Sequence, residues 1–113
     1  MSKRKKEGIV MAKYCFVTFT VNTKNPVQEV YIVGNTKNLG AWNTKNATKM
    51  KVVNENTFEV TKRFNVGENI EYKLVATKNW GNVEKGIFAE DVENHHFIAE
   101  NGHFENIYIH SFN

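Results

Sequence analysis

Two tryptophans on polar, glycine-containing segments are the residues of this chain best suited to binding chemistry. Trp42 lies near the end of the segment 33–43, and Trp80 lies within the segment 79–82. Each segment follows a strand-like run, so each indole is expected where a strand leaves a sheet. A large, flat, apolar side chain on such a loop is costly to expose unless it packs or binds something. The pair predicts a platform for a flat, partly apolar ligand, such as a sugar ring.

The residues around the two indoles fit that chemistry. Asn, Lys and Glu side chains stand around the two indoles, in these segments or in the strands next to them. An aromatic face accepts the C–H side of a pyranose, while nearby amides and charged groups hydrogen-bond the hydroxyls and fix the orientation of the ring. Two other interpretations remain open: the indoles pack within the protein, or they are hot spots for a protein partner.

No set of residues predicts catalysis. A nucleophile with its base, a paired acid and base, or a metal site is the minimum that a catalytic site requires. The only serines, Ser2 and Ser111, are not flanked by glycines, and His95 and His96 point to opposite faces if they lie in a strand. No Cys or carboxylate stands at metal-ligand spacing from them. We therefore expect no catalytic residues, no metal and no cofactor.

The positive charge of the chain is concentrated in one short segment. The formal net charge is +3, and residues 2–7 alone account for it, because the rest of the chain has equal numbers of basic and acidic residues. We predict a basic, flexible tail over residues 1–12 and a single neutral domain over residues 13–113. The tail could attract anions without specificity, so we expect no specific nucleic-acid partner.

Apolar runs are too short for a membrane helix, which needs about 20 residues, so no membrane association is expected. The N-terminal apolar run is interrupted by Lys13 and makes a poor signal peptide, and Cys15 is the only cysteine. Both features favour a cytoplasmic location, although the sequence leaves the localisation open.

Period-two alternation dominates the chain and predicts the strands that must position the two indoles. Over residues 14–21, for example, Cys15, Val17, Phe19 and Val21 fall on one face. No segment shows convincing helical periodicity. We predict strands over residues 13–21, 29–33, 48–53, 57–64, 70–77, 95–99 and 106–112, with 83–88 irregular or strand-like. Seven or eight short strands in one domain predict an all-β, immunoglobulin-like antiparallel β-sandwich.

The body of the chain resembles a known family, the starch-binding domains of carbohydrate-binding module family 20. The resemblance covers about residues 14–112. It rests on the strings Phe16-Val17-Thr18-Phe19-Thr20-Val21, Val30-Tyr31-Ile32-Val33-Gly34, Leu39-Gly40-Ala41-Trp42, Phe58-Glu59-Val60-Thr61, Ile70-Glu71-Tyr72-Lys73-Leu74 and Val83-Glu84. The Leu-Gly-x-Trp string followed by Glu-Tyr-Lys, about 30 residues later, is its most specific part.

The resemblance implies a sandwich that binds α-1,4-glucans such as starch, glycogen and maltooligosaccharides. Trp42 corresponds to the first of two stacking tryptophans, and Lys73 to a lysine that hydrogen-bonds glucose hydroxyls. Asn94 resembles the asparagine that orients the sugar. Lys85 stands where the second stacking tryptophan is usual, so we expect Trp80 to supply that ring from a re-routed loop.

We further expect Glu84 to accept a hydrogen bond from the sugar. The function that the resemblance implies is a non-catalytic carbohydrate-binding module, working beside a separate glucan-acting enzyme or as a free-standing adaptor. The alternative is a protein-interaction sandwich that uses the Trp42 and Trp80 loops without binding sugar.

Overall fold

The structure, a computed structural model, describes residues 13–113. The tail expected over residues 1–12 lies outside the described residues. The fold is the predicted all-β sandwich, built from two four-stranded sheets and one two-stranded pair. The strands are β1 (Tyr14–Thr23), β2 (Tyr31–Gly34), β3 (Thr48–Lys49), β4 (Lys51–Asn54), β5 (Thr57–Asn65), β6 (Asn69–Val75), β7 (Glu84–Lys85), β8 (His95–Ile98), β9 (Phe104–Ile109) and β10 (Ser111–Phe112).

The first sheet has the strand order β4-β5-β1-β9. The long strands β1 and β5 pair antiparallel from Tyr14 opposite Asn65 to Asn22 opposite Thr57. Strand β9 lies on the other side of β1 and runs parallel to it, with Thr18 opposite Phe104. The sandwich is therefore antiparallel except at this one pairing.

The second sheet has the order β3-β2-β6-β8 and is antiparallel throughout. Strand β6 shows how the sequence pattern sets its two faces. Ile70, Tyr72 and Leu74 are fully buried between the sheets. Because side chains alternate along a strand, Lys73 points to the outer face of the same sheet. This outer face carries the candidate functional site.

Residues 13–113 form ten strands rather than the predicted seven or eight, because two expected strands are each divided in two. Strand β3 pairs with β2 in the second sheet, whereas β4 pairs with β5 in the first. The chain changes sheet at Met50, which is buried and donates its backbone N–H to the carbonyl of Val30 at 2.9 Å. A similar break at His110 separates β9 from β10, which pairs with β7.

Aromatic rings fill the centre of the sandwich. Phe19 makes edge-on contacts with Phe64, Tyr72 and Phe97 at centroid distances of 6.1, 5.0 and 5.7 Å. Such edge-on pairs are a favourable aromatic geometry, adding about 0.5–1.5 kcal/mol each beyond simple burial. Cys15 is also buried, and its burial raises the pKa of the thiol. It serves as a small apolar core residue.

A second, smaller apolar cluster covers the outer face of the second sheet. Tyr31, Val33 and Val75 project from β2 and β6, and Ala47 and Val83 pack onto them from the connecting loops. The loops that carry the two tryptophans, residues 35–47 and 76–83, are thereby anchored on the sheet. The burial of this cluster fixes both loops on the same face.

Candidate functional site

Trp42 is held by a loop whose backbone is fixed by its own hydrogen bonds. The N–H of Trp42 donates to the carbonyl of Gly34 at 2.8 Å, which ties the loop to the end of β2. Leu39 is fully buried and joins the loop to the core. Gly40, Ala41 and Trp42 all have positive φ angles, of 85°, 49° and 63°. Left-handed backbone at Ala and Trp costs about 1–3 kcal/mol per residue and is typical of functional sites.

Trp80 is held in a different way, by side chains that cap a short 3-10 turn. The Asn79 side chain accepts a hydrogen bond from the N–H of Gly81 at 2.6 Å. Asn82 accepts from the Thr77 hydroxyl at 2.8 Å, and its amide nitrogen donates to the carbonyl of Asn113 at 2.7 Å. Trp80 itself remains 41% exposed. The turn therefore presents the indole to solvent instead of packing it into the core.

The two indoles meet on the outer face of the second sheet. Their ring centroids are 6.2 Å apart and their planes are inclined by 38°. Together they line an open cavity of about 510 Å³, whose full lining is Trp42, Lys73, Trp80, Val83 and Asn94. Four of the five residues predicted to form the site are thus brought together, and Trp80 reaches the cavity from the segment 79–82.

Lys73 and Asn94 supply the polar groups of the cavity. The Lys73 ammonium donates to the carbonyl of Val92, which orients the side chain and leaves two of its three N–H donors for other partners. The Asn94 amide nitrogen donates to a carboxylate oxygen of Glu71 at 3.2 Å. This bond uses one of its two N–H groups and fixes the plane of the amide. The site therefore pairs two aromatic faces with oriented hydrogen-bond donors.

Glu84 lies outside the cavity and is only 4% exposed. One of its carboxylate oxygens accepts from the N–H of Leu74 at 3.0 Å, and both oxygens lie 2.9 Å from Nε2 of His95. A buried carboxylate with these partners holds β7, β6 and β8 together. Val83 precedes Glu84 in the chain, and Asn94 precedes His95. The contact between Glu84 and His95 therefore positions Val83 and Asn94, which line the cavity.

The hydrogen-bonded network continues below the site. The Tyr72 ring stacks on His95 at 4.9 Å, and its hydroxyl donates to Glu105 at 2.6 Å. Burial, followed by the hydrogen bond to Glu105, raises the pKa of Tyr72 well above its usual range. The hydroxyl therefore stays protonated and acts as a donor. Glu105 also pairs with Nε2 of His103 at 2.7 Å, so every member of the network has a partner.

Two residues of this region were not predicted to take part. Val83 lines the cavity. Side chains alternate along a strand, so in the pair Val83-Glu84 one side chain faces the core and the other faces outwards, and this alternation was the available signal for Val83. His95 pairs with Glu84, and its basic side chain directly after Asn94 was the available signal. Lys85, which the resemblance predicts at the usual position of the second tryptophan, pairs with Asp91 and lowers the pKa of that carboxyl.

Within residues 13–113, no group of three or more His, Cys, Asp or Glu side chains is arranged to hold a metal ion. None of the helical segments in that range is long and apolar enough to cross a membrane.

Comparison with known proteins identifies the family. The model of the starch binding domain family matches residues 14–106, which is most of the chain. The chain belongs to this family. Its members are carbohydrate-binding modules of family 20, and the chain is accordingly a carbohydrate-binding domain of the starch-binding type.

Two curated relatives contain a segment that is similar in sequence to this starch-binding domain. A thermophilic beta-amylase from Thermoanaerobacterium thermosulfurigenes is 41% identical over 70 residues, covering 59% of the chain and 13% of that protein. An amylopullulanase from Thermoanaerobacter thermohydrosulfuricus is 36% identical over 87 residues, covering 75% of the chain and 6% of that protein. The domain thus spans only a small part of the length of these relatives.

Solved structures share the fold. The family 20 module of a maltotetraose-forming amylase from Pseudomonas saccharophila superposes with a TM-score of 0.62 at 20% identity, over 82% of this chain and 98% of that one. A glucoamylase from Hypocrea jecorina superposes with a TM-score of 0.71 at 21% identity, over 90% of this chain and 18% of that one.

Proposed function

We propose that this domain binds α-1,4-linked glucans, such as starch, glycogen and maltooligosaccharides, without itself catalysing a reaction. The observation that carries the proposal is the convergence of Trp42 and Trp80 with Lys73 and Asn94 around one open cavity. Each indole stacks on a glucose ring, and the two donors hydrogen-bond its hydroxyls. Glu84 acts indirectly in this proposal, by positioning Val83 and Asn94.

The inclination of the two indoles favours a curved ligand. Rings inclined by 38° cannot both lie flat on a straight ribbon of sugars, but they can follow two successive glucoses of a chain that bends. An α-1,4 linkage bends a glucan at every residue, whereas a β-1,4 linkage keeps it extended. We therefore expect maltooligosaccharides to bind and cellooligosaccharides to bind much more weakly.

The site is shallow, and this limits its affinity for one short ligand. Two stacked rings with a few hydrogen bonds support dissociation constants from micromolar to millimolar, which correspond to about 4–8 kcal/mol. Such binding becomes effective on a polymer that offers many sites, or when the domain is linked to an enzyme that acts on the same polymer. Since the curated relatives are named as amylases, we propose a glucan-acting enzyme as the functional partner, joined to the domain or separate from it.

The test is a titration of the intrinsic tryptophan fluorescence with β-cyclodextrin, a ring of α-1,4-linked glucoses. We expect a saturable change in the wild-type protein that is lost in Trp42→Ala. The matched control is Phe104→Ala, which removes an exposed aromatic ring from strand β9 in the first sheet and should bind as the wild type does. Absence of any change at millimolar ligand in the wild type would refute glucan binding.

A competition experiment separates the proposal from the protein-interaction alternative. Suppose that a protein partner binds the Trp42 and Trp80 loops. If those loops also form a sugar site, an excess of maltoheptaose should displace that partner. Binding of the partner that survives that excess, together with an unchanged fluorescence, would support the protein-interaction function instead.

A further inference from the structure

The turn formed by residues 86–91 exposes two large apolar side chains next to the sugar site. Ile87 is 60% exposed and Phe88 is 86% exposed. Phe88 is the most exposed large apolar side chain among residues 13–113, and it leaves nearly its whole ring in water, which is unfavourable. Its distinction from the other exposed rings is its place in the chain, close after Val83, which lines the cavity.

Hydrogen bonds hold the backbone of this turn in place. The N–H of Phe88 donates to a side-chain oxygen of Glu90 at 2.8 Å, and the N–H of Gly86 donates to the carbonyl of Glu90 at 2.9 Å. The N–H of Ala89 donates back to the carbonyl of Gly86 at 2.9 Å, with Ala89 at a φ of 61°. An ion pair between Lys85 and Asp91 closes the base of the turn. These contacts order the backbone that presents the ring.

The base of this turn is continuous with the sugar site. Lys73, which lines the cavity, donates to the carbonyl of Val92 directly after the turn. Val83, which also lines the cavity, stands five residues before Phe88. Because an extended chain advances at most about 3.3–3.6 Å per residue, Phe88 lies within roughly 18 Å of Val83. That span corresponds to a few glucose residues of a glucan that leaves the cavity.

We propose that the 86–91 turn extends the carbohydrate-binding surface, with Phe88 contacting glucose residues outside the pair stacked on Trp42 and Trp80. The inference rests on the proposed function of the cavity. In this proposal, Phe88 determines the preference of the domain for longer glucan chains. A ligand that only fills the cavity does not reach the turn, whereas a longer glucan gains one more aromatic contact.

The test compares ligands of two lengths on Phe88→Ala by isothermal titration calorimetry. We expect the affinity for maltotriose to stay as in the wild type and the affinity for maltoheptaose and soluble amylose to fall about fivefold, which is the size of one aromatic contact. Phe88→Trp should keep or raise the affinity for the longer ligands. Phe16→Ala, which removes a strongly exposed ring from strand β1 of the first sheet, is the matched control and should leave both affinities unchanged.

Each other outcome rejects the inference in a distinct way. Equal affinity of Phe88→Ala and wild type for the long ligands would show that the turn makes no contact, while leaving the cavity as the glucan site. An equal loss for short and long ligands would show that Phe88 acts by shaping the cavity. If the wild type bound none of these glucans, the proposed function itself would fail, and this inference with it.

Discussion

The two loops that bring tryptophans to the cavity reach the same place by different physical means. The Trp42 loop depends on its backbone: three consecutive residues have positive φ, and the N–H of Trp42 is bonded to Gly34. The Trp80 loop has ordinary extended angles at its ends and depends on the side chains of Asn79 and Asn82. One ring is fixed by main-chain geometry, and the other by exposed amide caps.

The contrast between the two loops indicates which ring should contribute more to the free energy of ligand binding. A group that is already ordered loses little conformational freedom when a ligand binds, so more of its contact energy appears as affinity. The strained loop presents an ordered Trp42, whereas Trp80 depends on exposed hydrogen bonds that open more easily. We therefore expect the two rings to contribute unequally, although both line the same cavity.

The largest expected effect is the difference between the two alanine variants in β-cyclodextrin affinity. Removing an interface tryptophan often costs 2 kcal/mol or more, so Trp42→Ala should weaken binding by about 2–3 kcal/mol, or roughly 30- to 150-fold. Trp80→Ala should cost about 1 kcal/mol, or roughly fivefold. Calorimetric titration of both variants measures the difference. Equal losses, or a greater loss for Trp80→Ala, would show that backbone order does not govern the contribution of each ring.

The second prediction concerns the strain in the Trp42 loop. Gly40 has a φ of 85°, and a Cβ placed there would lie 2.8 Å from the carbonyl oxygen of Asn46. Gly40→Ala therefore adds a steric clash to an unfavourable backbone angle, and we expect a loss of about 2–3 kcal/mol in the free energy of unfolding. Urea denaturation followed by fluorescence measures it.

Gly102 provides the matched control for that clash. It has the same φ of 85°, but a Cβ there would meet nothing within 4 Å. Gly102→Ala should therefore cost only the unfavourable backbone angle, about 1 kcal/mol. If both variants lost the same stability, the packing of Asn46 against Gly40 would contribute nothing to the rigidity of the Trp42 loop.

Much of this arrangement could be predicted from the sequence, and the parts that could not have a physical cause. Alternation along β1 and β6 sets which side chains enter the core, so the sandwich and the outward position of Lys73 follow from local pattern. The division of the expected strands at Met50 and His110 does not follow from it. A change of sheet depends on which strand each half pairs with, and that is a long-range property.

The site shows the same limit. The glycine positions and the indoles indicated both loops, because turn-forming residues act locally. The buried position of Glu84 could not be predicted in this way. A glutamate in a two-residue strand is usually exposed, and only the approach of Leu74 and His95 makes it a buried, fully bonded carboxylate. From the sequence we could predict that Glu84 contacts the sugar, but not that its carboxylate oxygens already have hydrogen-bond partners within the protein.

A third prediction concerns the anchor at the far end of the Trp80 loop. Glu84→Ala leaves the buried N–H of Leu74 and the ring of His95 without their partner, so we expect a loss of about 1–2 kcal/mol in the free energy of unfolding. Affinity for β-cyclodextrin should also fall severalfold, because Val83 and Asn94 are no longer held. Glu84→Gln keeps an acceptor for Leu74 and should lose less of both quantities. Unchanged affinity in a folded Glu84→Ala protein would show that the anchor does not position the cavity.

The smallest expected effect concerns the cap of the Trp80 turn. Asn79→Ala removes the acceptor for the N–H of Gly81, and loss of such a cap typically costs about 1 kcal/mol. Because that turn lies at the surface, we expect only a small loss of global stability and about a twofold to fivefold loss of β-cyclodextrin affinity as Trp80 becomes mobile. Asn79→Ser retains a capping oxygen and should bind nearly as the wild type does. If Asn79→Ala bound with full affinity, Trp80 would be ordered by something other than its cap, and the contrast between the two loops would reduce to the strain at Trp42.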